Sequence, residues 1–276
     1  MASINTLVQD IYSLLESGKA KIDSTKLAEM IAKRLEKTEG GPALRMSSLG
    51  EKCHRKLWYR ENMSDKAEPL PGPTLIKFLI GDIIEEVTLS LAEQAGHDVK
   101  GRQDTLEIHG VKGHRDAIID GVLVDVKSAN SRGMDKFTGH KLESDDPFGY
   151  LDQLSVYLEA SPDATIKGEA AFLAVDKELG HLVLDKYKKK DKPWKEIIER
   201  LRAMLASPEP PERGYREAPH NKDGSMKIPM PCQYCQYKKV CWSSSNGGTG
   251  LRKYLYSYGP AFLTRVVKEP NVPREY

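Results

Sequence analysis

The chain has 276 residues, 39% of them hydrophobic, and 42 Lys and Arg set against 40 Asp and Glu for a formal net charge of +2. That much apolar content supports a real buried core. The near-neutral balance excludes nucleic-acid binding by bulk charge, so any phosphate-binding surface must come from local clustering. Met1–Thr6 lacks the basic-then-apolar pattern of a secretory leader, and no apolar run reaches the length of a membrane span. The expectation is a cytoplasmic protein without a membrane segment, whose thiols stay reduced and serve as ligands sooner than as disulfides. No GxxxxGK[ST] occurs, so the sequence carries no P-loop motor.

In chain order, residues 4–36 read as two helices. One covers about Leu7–Glu16, and the other is capped by Asp23 or Ser24 and carries Leu27, Met30, Ile31 and Leu35 on one stripe. A break at Gly40-Gly41-Pro42 closes a helical N-terminal appendage, residues 1–45. Residues 46–73 follow, with the first cysteine and a Pro-rich linker at 69–73. A helix over about Thr74–Ala95 stops at Gly96. Strands are expected near 103–109, 111–119 and 122–127. Asp146 then caps a helix that Pro147 opens and that runs to about Ala160. Two strands near 169–175 and 181–185, joined by a turn at Lys177–Gly180, precede a helix over about Lys192–Ala206. Residues 207–250 hold a Pro/Gly/charge-rich stretch and three cysteines, and 251–276 is read as a helical tail. The order predicts an α/β fold in which helices flank a mixed central β-sheet, with residues 74–206 as its core.

Asp120-Gly121 between two β-rich runs is a two-residue hairpin signal. Counting back from that turn pairs Ile119 with Val122, Ile118 with Leu123 and Ala117 with Val124. Asp116 then falls opposite Asp125, and His114 opposite Lys127. Directly opposed like charges are destabilising, which one protonated carboxylate or a bridging cation relieves. Oxygen ligands of this kind suit a hard divalent ion, Mg²⁺ or Mn²⁺. Lys127, two residues beyond Asp125, shares its face.

The four cysteines have a telling spacing: Cys232 and Cys235 form a CxxC, Cys241 follows after five residues, and Cys53 stands far upstream. Thiolates so spaced can wrap one metal centre that Cys53 completes. Zinc also takes four thiolates, although zinc ribbons more often carry two CxxC pairs.

Asp116 followed by Asp125-Val126-Lys127 resembles the signature of the PD-(D/E)XK nuclease superfamily, and Gly113-His114-Arg115-Asp116 is similar to the GxxD motif of its RecB-like members. Gln153-Leu154-Ser155-Val156-Tyr157 looks like that family's QxxxY, and Gly81–Glu85 resembles its helical GxxxE/H motif, with Glu where relatives bearing an iron–sulfur cluster often carry His. Glu86, nearer the main apolar stripe of that helix, is held in reserve to Glu85. One early cysteine before C-x2-C-x5-C, with Ser48–Tyr59 around the first, resembles the CRISPR-associated iron–sulfur exonucleases and the nuclease parts of recombination helicase complexes. The resemblance spans about residues 46–245.

It implies a restriction-endonuclease-like core at 74–206 and an iron–sulfur subdomain, residues 46–73 with 207–250, in which a 4Fe-4S cluster on Cys53, Cys232, Cys235 and Cys241 joins the early segment to the late one. It implies a Mg²⁺- or Mn²⁺-dependent deoxyribonuclease, an exonuclease on single strands or DNA ends in recombination, repair or CRISPR/phage DNA processing. Glu85, Asp116, Asp125 and the Val126 carbonyl would hold the ion, Lys127 would act on the attacking water or the phosphate, and Gln153 and Tyr157 would orient Lys127 or the strand. A helicase, a recombinase or a CRISPR integrase is the implied class of protein partner. A DNA-end binding module without catalysis is the alternative. Lys186, Lys188, Lys189, Lys190 and Lys192 read as phosphate contacts or as a solvated strand end. Arg252, Lys253, Tyr254, Tyr256 and Tyr258 read as a base-stacking surface or as core.

Overall fold

Asp120 and Gly121 both take positive φ, 50° and 82°, the backbone of a tight turn that matches strand twist. That bend sets the register of the hairpin around which the central sheet is built. A computed structural model describes residues 2–36, 41, 44–163 and 168–275. Gly40 and Pro42 of the expected break lie outside the described residues. The chain forms two units: Met1–Glu51 with Pro71–Glu199, and Lys52–Leu70 with Arg200–Tyr276. The helix Trp194–Leu205 runs from the first into the second.

In the first unit the strands are β1 (Val99–Lys100), β2 (Thr105–Ile108), β3 (Val111–His114), β4 (Ala117–Ile119), β5 (Val122–Ala129), β6 (Glu169–Asp176) and β7 (Leu182–Lys188). Five of them make a mixed sheet in the order β1-β4-β5-β6-β7, in which only β5 and β6 run parallel. The α/β fold with a mixed sheet flanked by helices is as expected. So is the hairpin register: Ala117 pairs with Val124, Ile118 with Leu123 and Ile119 with Val122. The run expected as one strand over 111–119 is instead broken at Arg115-Asp116. β3 leaves to pair with β2, so His114 lies across from Thr105 and not from Lys127. Arg115 holds the break. Its guanidinium, 4% exposed, is bidentate to Asp163 at 2.6 and 2.8 Å and also reaches Asp104 at 2.7 Å.

One sheet face carries Ala117, Ile119, Val124, Val126, Ala171 and Leu173 into a cluster with Leu89 and Ala92 of the helix Gly72–Gln94. Leu7 and Ile11 of the helix Leu7–Glu16 are fully buried in the same cluster. That helix, expected as part of an appendage, is therefore a core layer, and the Tyr12 hydroxyl accepts from the Leu182 N–H of β7. The helix Ser24–Leu35 starts as read, with Asp23 accepting from the N–H groups of Thr25 and Lys26. On the other sheet face Phe172 meets Phe137, Tyr150 and Tyr187. The helix expected from Pro147 begins only at Tyr150. Gly149 precedes it at φ 74°, and Asp146 accepts from the N–H groups of Tyr150 and Leu151 across the intervening turn.

The second unit holds the helix His54–Asn62 and a sheet of β8 (Ala218–Pro219), β9 (Met226–Lys227), β10 (Arg252–Tyr256), β11 (Gly259–Arg265) and β12 (Arg274–Glu275). The helical tail expected over 251–276 is thus mostly strand. Alternation decides it: Tyr254, Ala261 and Leu263 are buried together while Leu255 and Tyr258 face solvent. Residues 52–70 are tied to this unit by Trp58 Nε1 donating to the Ser207 carbonyl and by stacking of Tyr59 on Tyr237. The Glu68 N–H also donates to the Gln236 carbonyl.

Candidate active site

Alternation along β5 sends Val124 and Val126 into the core and leaves Asp125 and Lys127 on the opposite face, toward the helix Tyr150–Glu159. Asp116 lies just before β4, and its Oδ2 accepts from the Val126 N–H at 2.8 Å, across the hairpin. Val126, expected to offer its carbonyl to an ion, thus fixes Asp116 through its N–H. Asp125 is 8% exposed. Its Oδ1 is 3.4 Å from Gln153 Nε2, and its Oδ2 is 2.5 Å from Lys127 Nζ. That contact is a close ion pair between two largely buried groups. Lys127 Nζ also lies 5.2 Å from the centre of the Tyr150 ring.

Glu85 enters from the helix Gly72–Gln94 and accepts from Gln103 Nε2 at 2.6 Å. Its neighbour Glu86 pairs with Arg102 at 2.5 Å, which leaves Glu85 as the carboxylate that acts on the hairpin charges. Burial raises the Glu85 pKa from 4.5 to about 7, with the charges of Asp125 and Asp82 adding to the rise. Burial likewise pushes Asp116 well above the usual carboxylate range, and Asp125 and Glu85 push it further. Burial opposes the charge on Lys127, yet Asp125 and Asp116 outweigh it and the ammonium is held more firmly than in water. Tyr157 is pushed up to about 12 by burial and by Asp125 and Asp116. The structure therefore gathers Glu85, Asp116, Asp125, Lys127, Gln153 and Tyr157 into one electrostatically coupled group.

Glycines make the close approaches. A Cβ at Gly113 would stand 2.7 Å from both Met46 Cβ and the Tyr157 hydroxyl, so a side chain there would displace Tyr157. Gly50 faces Gly149 so closely that a Cβ would meet its carbonyl oxygen at 2.4 Å, which seats the start of the Tyr150 helix against residues 46–50. The sequence reading missed Gln103, Tyr150 and this glycine contact. None of the three lies in a motif, and only Gly149 before a helix start gave a signal. A cavity of about 420 Å³ beside Lys127 is lined by Lys77, Lys136, Lys177, Phe148 and Tyr150. The basic run is largely tied down: Lys186 to Asn5, Lys189 to Glu159 and Lys192 to Asp152. Tyr254 is core, whereas Tyr258 is 72% exposed and stacks on Tyr256.

In the second unit Cys53 precedes the helix His54–Asn62, and Cys232, Cys235 and Cys241 lie on successive turns linked by the Cys235 N–H to the Cys232 carbonyl. No disulfide joins them, and all four are partly buried. Burial pushes the Cys232 thiol up to about 12, and the charges of Cys53, Cys235 and Cys241 add to the rise. Among the described residues no three His, Cys, Asp or Glu side chains converge tightly enough to close a metal site. The donor chemistry still fits: Glu85 and Asp116, pushed up by burial and by the Asp125 charge, suit a divalent cation, and four mutually repelling thiols suit a thiophilic centre. Among the described residues, no helix is long and apolar enough to cross a membrane.

No curated protein matches the chain. The chain is similar to the solved structure of SSO0001, at 14% identity and a TM-score of 0.41 over 79% of this chain and 95% of that one. It is also similar to an alkaline exonuclease (LHK-Exo) from Laribacter hongkongensis, at 16% identity and a TM-score of 0.40 over 65% of this chain and 91% of that one. The pattern of a known family runs from residue 6 to residue 242, through the carboxylate hairpin and all four cysteines, and by that match the chain belongs to the PD-(D/E)XK nuclease superfamily.

Proposed function

We propose that the chain is a Mg²⁺- or Mn²⁺-dependent deoxyribonuclease that hydrolyses phosphodiester bonds, acting as an exonuclease on single strands or DNA ends. The observation that carries the reading is the group of Glu85, Asp116 and Asp125 around Lys127, where burial and mutual charge raise the first two carboxyls and Asp125 pairs closely with the ammonium. Members of the superfamily typically use these ions. Glu85, Asp116, Asp125 and the Val126 carbonyl would hold the ion, and when bound it supplies Lewis-acid stabilisation of charge on the scissile phosphate. Lys127, kept protonated by its two aspartates, balances charge that develops on the phosphate. Gln153 steadies Asp125, and Tyr157, packed on Gly113, holds the hairpin's approach.

The four cysteines are inferred to carry a 4Fe-4S cluster, as in the RecB-like and CRISPR-associated iron–sulfur nucleases, with zinc as the competing occupant. The support is their clustering and partial burial without a disulfide. Processing of DNA ends alongside a helicase, a recombinase or a CRISPR integrase is the role that follows from that likeness. The test is cleavage of end-labelled single- and double-stranded oligonucleotides with Mn²⁺ or with EDTA, by wild type, Asp116→Ala and Lys127→Ala. Cleavage that needs Mn²⁺ and is lost in both variants is expected. Full activity in either variant refutes the site. Iron, zinc and sulfide analysis of anaerobically purified protein decides the second centre.

A further inference from the structure

A second cavity, about 870 Å³, lies wholly within the second unit and is lined by Arg55, Arg213, Arg216 and Arg265 together with Glu212 and Glu217. Among the described residues none of the four guanidinium groups has an ion-pair partner. Arg55 donates to the Pro211 carbonyl and the Tyr59 hydroxyl, Arg213 to the Cys241 carbonyl, and Arg265 to the Gly224 carbonyl. Arg216 is exposed and has no hydrogen bond among the described residues. Arg102 and Arg115, by contrast, are matched, the first by Glu86 and the second by Asp104 and Asp163. Glu217 is engaged by the Thr264 hydroxyl, and neither glutamate pairs with an arginine. Arg55 and Arg213 also face the Cys241 thiol, whose charge they favour, so the surplus positive charge of the cavity rests on Arg216 and Arg265. Like charges gathered this way cost stability unless an anion offsets them.

Planar guanidinium forks match phosphate oxygens, and the volume is that of a ligand pocket. The aromatic ring beneath is not offered for base stacking: Trp242 is 4% exposed, and Arg213 Cζ lies 4.3 Å from its centroid. Tyr215 also lines the cavity, and the contacts that the arginines offer go to backbone phosphates. We propose that this cavity binds consecutive phosphates of a single DNA strand, as a second contact built from residues other than those of the cleavage site. The inference rests on the deoxyribonuclease reading of the first unit.

The test uses the full chain and a fluorescent single-stranded oligonucleotide in EDTA, where cleavage is blocked, with affinity measured across a salt series. Arg216→Ala/Arg265→Ala is expected to weaken binding about tenfold. The double variant should also lower the salt slope by about 1.4, two phosphate contacts at about 0.7 each for a single strand. Arg216→Lys should retain most of the slope, and Lys19→Ala, remote in sequence and outside the cavity, should match wild type. An unchanged affinity and slope in the double variant overturns the cavity site while Mn²⁺-dependent cleavage by wild type leaves the nuclease reading standing. A wild-type protein that neither binds nor cleaves the oligonucleotide overturns both.

Discussion

Replacing Asp116 by Asn should stabilise the metal-free protein while removing its ability to be stabilised by Mn²⁺. Asn keeps an oxygen to accept from the Val126 N–H, 2.8 Å away in the native pair, but carries no charge. The charge it removes repels Asp125 and Glu85. Glu85 shows the scale: a rise from 4.5 to about 7 corresponds to a ceiling of about 3 kcal/mol, reduced by solvent screening because that side chain is only partly buried. A carboxyl with a raised folded pKa binds its proton more tightly folded than unfolded. Its neutral form is therefore favoured by folding, and metal-free stability falls as pH climbs from 4.5 to about 7 and stays reduced above that.

Relieving one repulsive partner should return about 1–2 kcal/mol near pH 8, roughly 2–6 °C in melting temperature for a chain of this size. Thermal unfolding followed by calorimetry between about pH 5 and pH 8.5, in EDTA and in Mn²⁺, measures it. In EDTA the wild-type melting temperature should drop across that window and the Asp116→Asn profile should be flatter. Mn²⁺ should raise the wild type alone. A variant that melts below wild type near pH 8 in EDTA, or a wild type whose melting temperature ignores pH, would refute the electrostatic account.

Three further outcomes follow from contacts in the two units. Glu85→Gln should lower Mn²⁺-dependent cleavage by about two orders of magnitude. Glu86→Gln should spare it, since Glu86 is already committed to Arg102; initial rates on a labelled oligonucleotide distinguish the two. Gly113→Ala should cost about 1–3 kcal/mol by overpacking and slow cleavage, because its Cβ would stand 2.7 Å from Met46 and from the Tyr157 hydroxyl; denaturant melts and rates read both effects. Gly214→Ala would place a Cβ 2.9 Å from Cys53 Cα, so metal content per chain after purification should fall while the carboxylate site in the first unit is untouched.

Much of the site was legible because short-range geometry decides it. Asp-Gly admits few turns, a fixed turn fixes the register, and the register brings Asp116 and Asp125 to one end of the hairpin with Lys127 one pleat further on. Where competing long-range pairing intervenes, counting failed. β3 peels away at Arg115 because Asp104 and Asp163 give that buried guanidinium its carboxylate partners, and no local pattern announces a residue 48 positions off. The tail over 251–276 misled for a related reason: its alternation is short, and only pairing among β9, β10 and β11 turns it into a sheet.

By itself the sequence determined the turn, the alternation on β5, the Asp23 helix cap and the cysteine spacing, all features set within a few residues by sterics and hydrogen-bond reach. Only the tertiary structure decided which glutamate acts on the hairpin charges, since Arg102 claims Glu86 and leaves Glu85 beside Gln103. Only it placed Leu7 and Ile11 in the sheet's core and gathered four arginines without carboxylate partners around one cavity. Burial and charge depend on everything packed nearby in space, and that information is not contained in any window of the chain.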